Sequence, residues 1–199
     1  MIYLEIAASK KRGLNWDAVR DVPLPGVMVY DMRNLPMIGI SDNTYNGVYS
    51  EHFIEHLTKE EGINFLKEMF RIMKPGGVIR TVWPPMEFVQ WLRQDKDLSN
   101  HPWVKHYYNF YVVKHKFAPS GNENKSIQEQ CALGILHQNG EHKHIWSKSE
   151  LSQTLKELNF LNVKEYQYQQ SSLSDFKNID TPGEVRAFHS AVIEAIKPW

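Results

Sequence analysis

The stretch NGVYSEHFIEHLTKEEGINFLKEMFRIMKPGGVIRTV, residues 46–82, predicts a strand, a helix and a second strand in succession. A short apolar strand, Gly47–Tyr49, runs into the polar cluster Ser-Glu-His. Thr58 and Glu61 have the spacing of a capping box, so a helix should begin there. A Lys-Pro-Gly-Gly turn then leads into the strand Val78–Val82. Because ligands bind beyond the carboxyl ends of strands in open parallel sheets, the polar cluster is a candidate site.

Apolar runs on either side of this unit predict further strands. Ile2–Ala7 is compact and contains β-branched and aromatic residues, which is typical of a central strand. The other predicted strands are Leu14–Asp17, Val27–Tyr30, Val163–Tyr168 and His189–Ile196, although Glu184–Lys197 is also compatible with a helix. Residues from about 84 to 146 are rich in aromatic residues and histidines, so we expect a helical insertion or cap there. Ser147 and Glu150 form a second capping box after it.

Length and composition limit the classes of protein to consider. The 199 residues fit one domain, and we expect residues 1–199 to form it. Lys+Arg and Asp+Glu number 23 each, and a net charge of zero argues against a nucleic-acid clamp. No apolar run approaches the ~18 residues of a membrane span. The single Cys131 cannot form an internal disulfide, and the N-terminal charge follows the apolar run, the reverse of a secretory signal. We therefore expect a cytoplasmic protein without nucleic-acid or membrane partners.

Several motifs follow one another in a specific order. Asp17 follows the first strand and loop, and Asp31–Pro36 reads Asp-x-x-x-Leu-Pro. Ser50–Leu57 reads Ser-Glu-His-x-x-Glu-His-Leu, and Arg71–Gly77 ends in Lys-Pro-Gly-Gly. This order resembles class I S-adenosylmethionine (SAM)-dependent methyltransferases, and more closely their small bacterial type 11 group. The stretch HKHIWSKSELSQTLKELNF, which begins at His142, is similar to the downstream helix of that family.

The resemblance covers roughly residues 1–83 and 142–197. It implies an α/β fold with a doubly wound, Rossmann-like, mostly parallel sheet of seven strands, the last of them antiparallel. It also implies SAM as the methyl donor, S-adenosyl-L-homocysteine (SAH) as the product, and a small-molecule acceptor.

The resemblance further implies roles for individual residues. The cofactor would be bound by residues after four strands: Ala7, Ala8, Ser9, Asp17, Asp31, Met32, Ser50 and Glu51. Asp17, at the end of the second strand, would accept hydrogen bonds from the ribose hydroxyls, with Asp21 close by. Asp31 would accept from the adenine amino group. His52 is the candidate general base, because the ordinary pKa of histidine lies near neutrality.

Ala7-Ala8-Ser9 departs from the family pattern, which usually has Gly-x-Gly in this loop. The loop contacts the methionine part of SAM in the family, and positive φ is disfavoured at Ala and Ser. One alternative is therefore a non-catalytic, methyltransferase-like binding protein with a degenerate cofactor loop.

His52–His56 also satisfies H-x-x-E-H, which makes a zinc hydrolase a second alternative. Zinc would need both histidines on one helical face and a third protein ligand. The capping box at Thr58 predicts that the helix starts only after His56, so we favour the methyltransferase and assign no metal ligands. The histidines of the middle region are interpreted as surface or hydrogen-bonded residues: His101, His106, His115, His137, His142 and His144.

Overall fold

The computed structural model describes residues 1–94 and 96–199, which are built around one seven-stranded sheet. Its strands are β1 (Tyr3–Ile6), β2 (Trp16–Arg20), β3 (Met28–Val29), β4 (Tyr45–Glu51), β5 (Met73–Trp83), β6 (Leu161–Tyr166) and β7 (Ala191–Ile196). Its α-helices are α1 (Lys59–Ile72), α2 (Met86–Leu92), α3 (Pro102–Tyr107), α4 (Ile127–His137), α5 (Lys148–Glu157) and α6 (Glu184–Phe188). A π-helical segment spans Tyr108–Lys114, and 3-10 turns lie at Ile54–His56, Gln138–Gly140 and Ser174–Phe176.

The strand order is β3-β2-β1-β4-β5-β7-β6. The pairs from β3 to β5 are parallel, whereas β7 is antiparallel to both β5 and β6. This confirms the predicted seven-stranded, mostly parallel sheet with an antiparallel last strand. The chain order reverses at β1, which lies between β2 and β4, and ligands bind at such a switch point in open α/β sheets.

The helix α1 begins at the predicted capping box. The Thr58 hydroxyl accepts from the Glu61 N–H at 3.3 Å, and the Glu61 carboxylate accepts from the Thr58 N–H at 2.8 Å. Both bonds satisfy donors that the first helical turn leaves free. Its fully buried apolar stripe consists of Phe65, Leu66, Met69 and Ile72. The Lys-Pro-Gly-Gly segment, predicted to be a turn, lies instead inside β5, where the pairing with β4 shifts register.

The two faces of the sheet are covered differently. On one face, α1 and α5 join a core that includes Leu4, Val48 and Ile79 from three adjacent strands. On the other face lies an irregular stretch, residues 167–181, which we call the covering segment. Its Phe176 packs against Tyr3 and Tyr49, with ring centroids 5.6 and 6.4 Å away. The described chain between β1 and β4 contains no helix, so this segment takes the place that a helix usually has in a doubly wound sheet.

A buried ion-pair network fastens the covering segment to the sheet. Arg80 in β5 is fully buried, and its Nε donates to the Asp180 carboxylate at 2.9 Å. Its Nη1 donates to Glu194 of β7 at 2.8 Å and to the Gln170 carbonyl at 2.7 Å. Charges leave water without great cost only when they are paired and fully hydrogen-bonded. The network therefore ties the position of the covering segment to the two strands beneath it.

The chain between β5 and α5 is helical, as predicted, and contains α2, α3, the π-helical segment and α4. These helices share their own apolar cluster, which includes Val89, Val104, Cys131 and Ile135. The division of the chain into a single domain with an insertion at about residues 84–146 stays a prediction. Among the residues that the structure describes, none belongs to a helix long and apolar enough for a membrane span.

The structure decides three further predictions, at β2, at the last strand and at the start of α5. β2 does not end at Asp17, because Ala18 and Val19 are its buried residues while Leu14 is fully exposed. The last strand is confirmed as β7, and the competing helix is limited to α6. At α5, Ser147 caps the Glu150 N–H, but the Glu150 carboxylate binds Lys59 and His144 rather than completing a capping box.

Candidate active site

A cavity of about 690 Å³ opens at the carboxyl ends of β1, β2 and β4. Its size lies within the range of small-molecule sites, and its position is the switch point of the sheet. Strands and the loops after them supply most of the wall, the segment after α4 adds residues 139–141 and Lys143, and α6 adds Arg186. We call it the larger cavity; its charged lining residues are Arg20, Asp21, Asp31, Arg33, Glu51, Glu141, Lys143 and Arg186.

Of the loop Ala7-Ala8-Ser9, only Ala7 borders the larger cavity. Ala7 has φ +57°, in the left-handed region that favours glycine. Ala8 is buried against Ala18 and Val27, and Ser9 is exposed. The backbone therefore makes a glycine-type turn with an alanine in it. The three residues predicted together as cofactor contacts separate, with one beside the cavity and two away from it.

Asp31 borders the larger cavity just after β3, and Met32 is buried beside it. The Asp31 Oδ1 accepts from the Arg33 N–H at 3.0 Å and from its Nε at 2.7 Å. These bonds lower the pKa of Asp31 below its ordinary value. At neutral pH the carboxylate is therefore ionised and can accept hydrogen bonds only.

The structure corrects the predicted position of Asp17. This residue is the second of β2, and its carboxylate accepts from the Tyr45 hydroxyl at 3.1 Å, away from the larger cavity. Asp21 is the acid that follows the carboxyl end of β2, and it lines the cavity. The cause is the pairing with β1, which sets Asp17 opposite Leu4 and Val19 opposite Ile6.

Ser50 and Glu51 end β4, but their side chains have structural partners. Ser50 is buried beside Thr81, with the two hydroxyl oxygens 3.4 Å apart, and is not part of the cavity wall. Glu51 borders the cavity, and its carboxylate accepts from Thr181, Tyr168 and Tyr49. Burial alone would raise the pKa of Glu51, but these hydrogen bonds lower it below its ordinary value.

His52 lies between the larger cavity and a second one of about 240 Å³, the smaller cavity. The backbone at His52 is left-handed, with φ +49°, which ends β4 and turns the imidazole inward. Its Nε2 lies 2.8 Å from the Ser190 hydroxyl oxygen. Burial, and then the nearby Arg186 guanidinium, hold the pKa of His52 well below its ordinary value. The imidazole is therefore neutral at physiological pH.

The smaller cavity is lined mainly by imidazole and aromatic side chains. The helical insertion supplies Tyr107, Tyr111 and Phe117, and the histidines come from the segments after β4, α4 and α6. His189 is buried there, and its Nδ1–H donates to the Val185 carbonyl at 2.5 Å. Burial lowers the pKa of His189 to about 3. The remaining titratable members of this wall are His52, Glu55, His56, His142 and Arg186.

A family model for the methyltransferase domain matches residues 5–81, the part that holds β1 to β5 and most of the larger cavity. This match, together with the solved structures below, supports a class I SAM-dependent methyltransferase domain. No functionally curated protein matches the sequence.

Solved methyltransferase structures share this fold. A SAM-dependent methyltransferase of Thermotoga maritima, described as a possible histamine N-methyltransferase, has a TM-score of 0.53 and 17% identity over 98% of this chain and 82% of its own. A SAM-dependent methyltransferase of Archaeoglobus fulgidus has a TM-score of 0.53 and 17% identity over 98% and 85%. Phosphoethanolamine N-methyltransferase 2 of Haemonchus contortus, in complex with SAM, has a TM-score of 0.51 and 12% identity over 99% and 48%. At 12–17% identity, these similarities establish a shared fold only.

Several residues in or next to the cavity walls come from parts of the sequence that had no predicted role in the site. His142, Arg186 and His189 line the smaller cavity, and Ser190 contacts His52; they follow α4 or lie around α6, far along the chain from β4. The histidine pair of His-Lys-His at 142–144 was a weak signal for the first of them. For Asp21, the signal was an acid two residues after the apolar pair Ala18-Val19.

Proposed function

We propose that this chain transfers a methyl group from SAM to a small-molecule acceptor. The observation that carries the proposal is the larger cavity, which collects Ala7, Asp21 and Asp31 at the switch point of a methyltransferase sheet. When bound, SAM supplies a methyl group that is already activated by its sulfonium. The residues of this chain have to bind and orient the two partners and exclude water.

The larger cavity fits the nucleoside part of the cofactor. Asp21 follows β2 and offers acceptor-only oxygens for the two ribose hydroxyls. Asp31, ionised beside Arg33, would accept from the adenine amino group, with Met32 beside it. At the other end, the glycine-type turn at Ala7 would bring the loop backbone close to the methionine part. Glu51 borders that end but mainly anchors the covering segment.

The smaller cavity is the proposed acceptor site. His52 lies in the walls of both cavities, so it would stand between the donor and the acceptor. Its buried imidazole is neutral, and the Ser190 hydroxyl at 2.8 Å fixes the orientation of the ring. A neutral imidazole in this position could act as the general base for an acceptor that must lose a proton. Because its pKa is lowered by burial, we expect a contribution below the factor of about 10²–10⁴ in rate that a base with a pKa near the operating pH supplies.

Calorimetric titration with SAH tests the proposal. We expect a Kd in the micromolar range for the natural sequence and at least a tenfold weaker Kd for Asp31→Ala. No binding at millimolar SAH would contradict the proposal and favour a binding protein that has lost its cofactor site. Once an acceptor is found with labelled SAM, His52→Gln should lower kcat more than it weakens SAH binding. An unchanged kcat would remove His52 from the general-base role.

A further inference from the structure

Glu55 is a buried acid without a hydrogen-bond partner in the described chain. It lies in the 3-10 turn before α1, its side chain is fully buried, and neither carboxylate oxygen has a partner there. The His52 Nδ1 lies 3.3 Å from Oε1 but does not form a hydrogen bond with it. Burying a carboxyl group without partners is costly, so its presence calls for a ligand.

Two histidines direct ring nitrogens to the same place. The candidate ligand atoms of Glu55, His56 and His142 all lie within 4.8 Å of one another. The rings of His56 and His142 meet edge to face, with centroids 4.8 Å apart. The His142 Nδ1–H donates to the Ile135 carbonyl, which leaves Nε2 with a free lone pair. Metal-binding histidines are commonly oriented by such a second hydrogen bond.

The backbone holds the two halves of the cluster together. The Glu55 carbonyl accepts from the N–H groups of Lys143 and His144, at 2.8 and 3.3 Å. His142 is thereby fixed opposite the 3-10 turn that carries Glu55 and His56. The positive charge of Arg186, which lines the same cavity, lies 3.9 Å from the Glu51 carboxylate and is partly offset by it.

We propose that Glu55, His56 and His142 bind a divalent transition metal in the smaller cavity. Two imidazoles and one carboxylate suit Zn²⁺ or Fe²⁺, whereas Mg²⁺ and Ca²⁺ prefer oxygen ligands only. Ligand bonds of about 2.1 Å imply ligand atoms about 3.4 Å apart. The ligand atoms, which lie within 4.8 Å of one another, must therefore approach by up to about 1.4 Å on binding. The proposal goes beyond methyl transfer and does not depend on it.

This ligand set differs from the H-x-x-E-H arrangement in the sequence. That pattern needs His52 and His56 on one face of a helix. Here, the His52 Nε2 is engaged by Ser190, and a 3-10 turn carries Glu55 and His56. The third ligand, His142, comes from beyond the helical insertion, so no local sequence pattern could identify the site.

Zinc titration of the chelator-treated full chain, with elemental analysis after dialysis, tests the site. We expect about one Zn²⁺ per chain and no comparable Mg²⁺ binding. His142→Ala and Glu55→Gln should each weaken zinc binding at least tenfold. His106→Ala, which removes an exposed histidine, should bind zinc like the natural sequence. The proposal is overturned if stoichiometric zinc is absent, or if zinc remains equally tight in both ligand variants.

Two further measurements separate folding and cofactor effects from metal binding. Zinc should raise the Tm of the natural sequence but not that of folded His142→Ala, because a ligand stabilises only the state that binds it. His56→Ala gives an independent variant if Glu55→Gln does not fold. Asp31→Ala should lose SAH and keep zinc, whereas His142→Ala should lose zinc and keep SAH. A protein that binds zinc but no SAH would overturn only the proposed methyl transfer.

Discussion

The Glu51 carboxylate accepts hydrogen bonds from both the backbone N–H and the hydroxyl of Thr181, at 3.0 and 2.6 Å. One residue at the end of β4 therefore borders the larger cavity and also holds the covering segment on the opposite face. Tyr168 adds a third bond to the same carboxylate at 2.6 Å. Hydrogen bonds to one carboxylate thus connect the wall of the larger cavity to the covering segment.

Thr181→Val tests this link. Loss of the hydroxyl should lower the free energy of unfolding by about 1 kcal/mol, because Thr181 is exposed and only one of its two bonds is removed. Amide hydrogen exchange should accelerate in residues 167–181 and stay unchanged in α5. Uniform acceleration in both regions would show that the bond contributes only to global stability.

Arg80→Met should be strongly destabilising. The substitution leaves Asp180 and Glu194 buried without their cation, a change that typically costs about 3–5 kcal/mol. Urea unfolding measures it. Arg33→Met, which removes the partly exposed pair with Asp31, is the matched control and should change stability by less than about 1 kcal/mol. Equal losses in the two variants would contradict the role assigned to the buried network.

Ala7→Gly and Ala8→Gly should have opposite effects on stability. At Ala7, glycine removes a left-handed strain of about 1–2 kcal/mol. It also costs about 0.5–1 kcal/mol, because the unfolded chain gains conformational entropy. We therefore expect the free energy of unfolding to rise by about 0.5 kcal/mol. At Ala8 glycine removes a buried methyl group and should cost about 1–2 kcal/mol. Thermal unfolding measures both, and changes of the same sign would argue against the left-handed turn at Ala7.

Asp21→Asn and Asp17→Asn should distinguish the roles of two acids in cofactor binding. Asp17 lies within β2, and Asp21 directly follows it. Asp21 lines the larger cavity, so its neutralisation should weaken SAH binding by about tenfold, the value of one charged hydrogen bond. Asp17 binds Tyr45 away from the cavity, so Asp17→Asn should leave the SAH Kd within about twofold. Calorimetry on the two folded variants measures this. The reverse pattern would restore Asp17 to the role that the family resemblance implied.

Features set by neighbouring residues could be predicted from the sequence. The capping box of Thr58 and Glu61 is confirmed. This feature depends on backbone donors and acceptors within a few residues. The same holds for the apolar stripe of α1 and for Asp31 just beyond β3. The family resemblance then implied a seven-stranded, mostly parallel sheet with an antiparallel last strand, which is confirmed.

The sequence by itself thus determined the α/β class, the strand–helix–strand unit around His52 and the candidate edge of the sheet. Only the tertiary structure decided that Asp21 rather than Asp17 borders the cavity, because strand pairing sets the register of β2. It also brought His142 to Glu55 and Asp180 to Arg80. Such contacts join residues far apart in the chain, so they follow from the packing of whole elements and leave no periodic trace in the sequence.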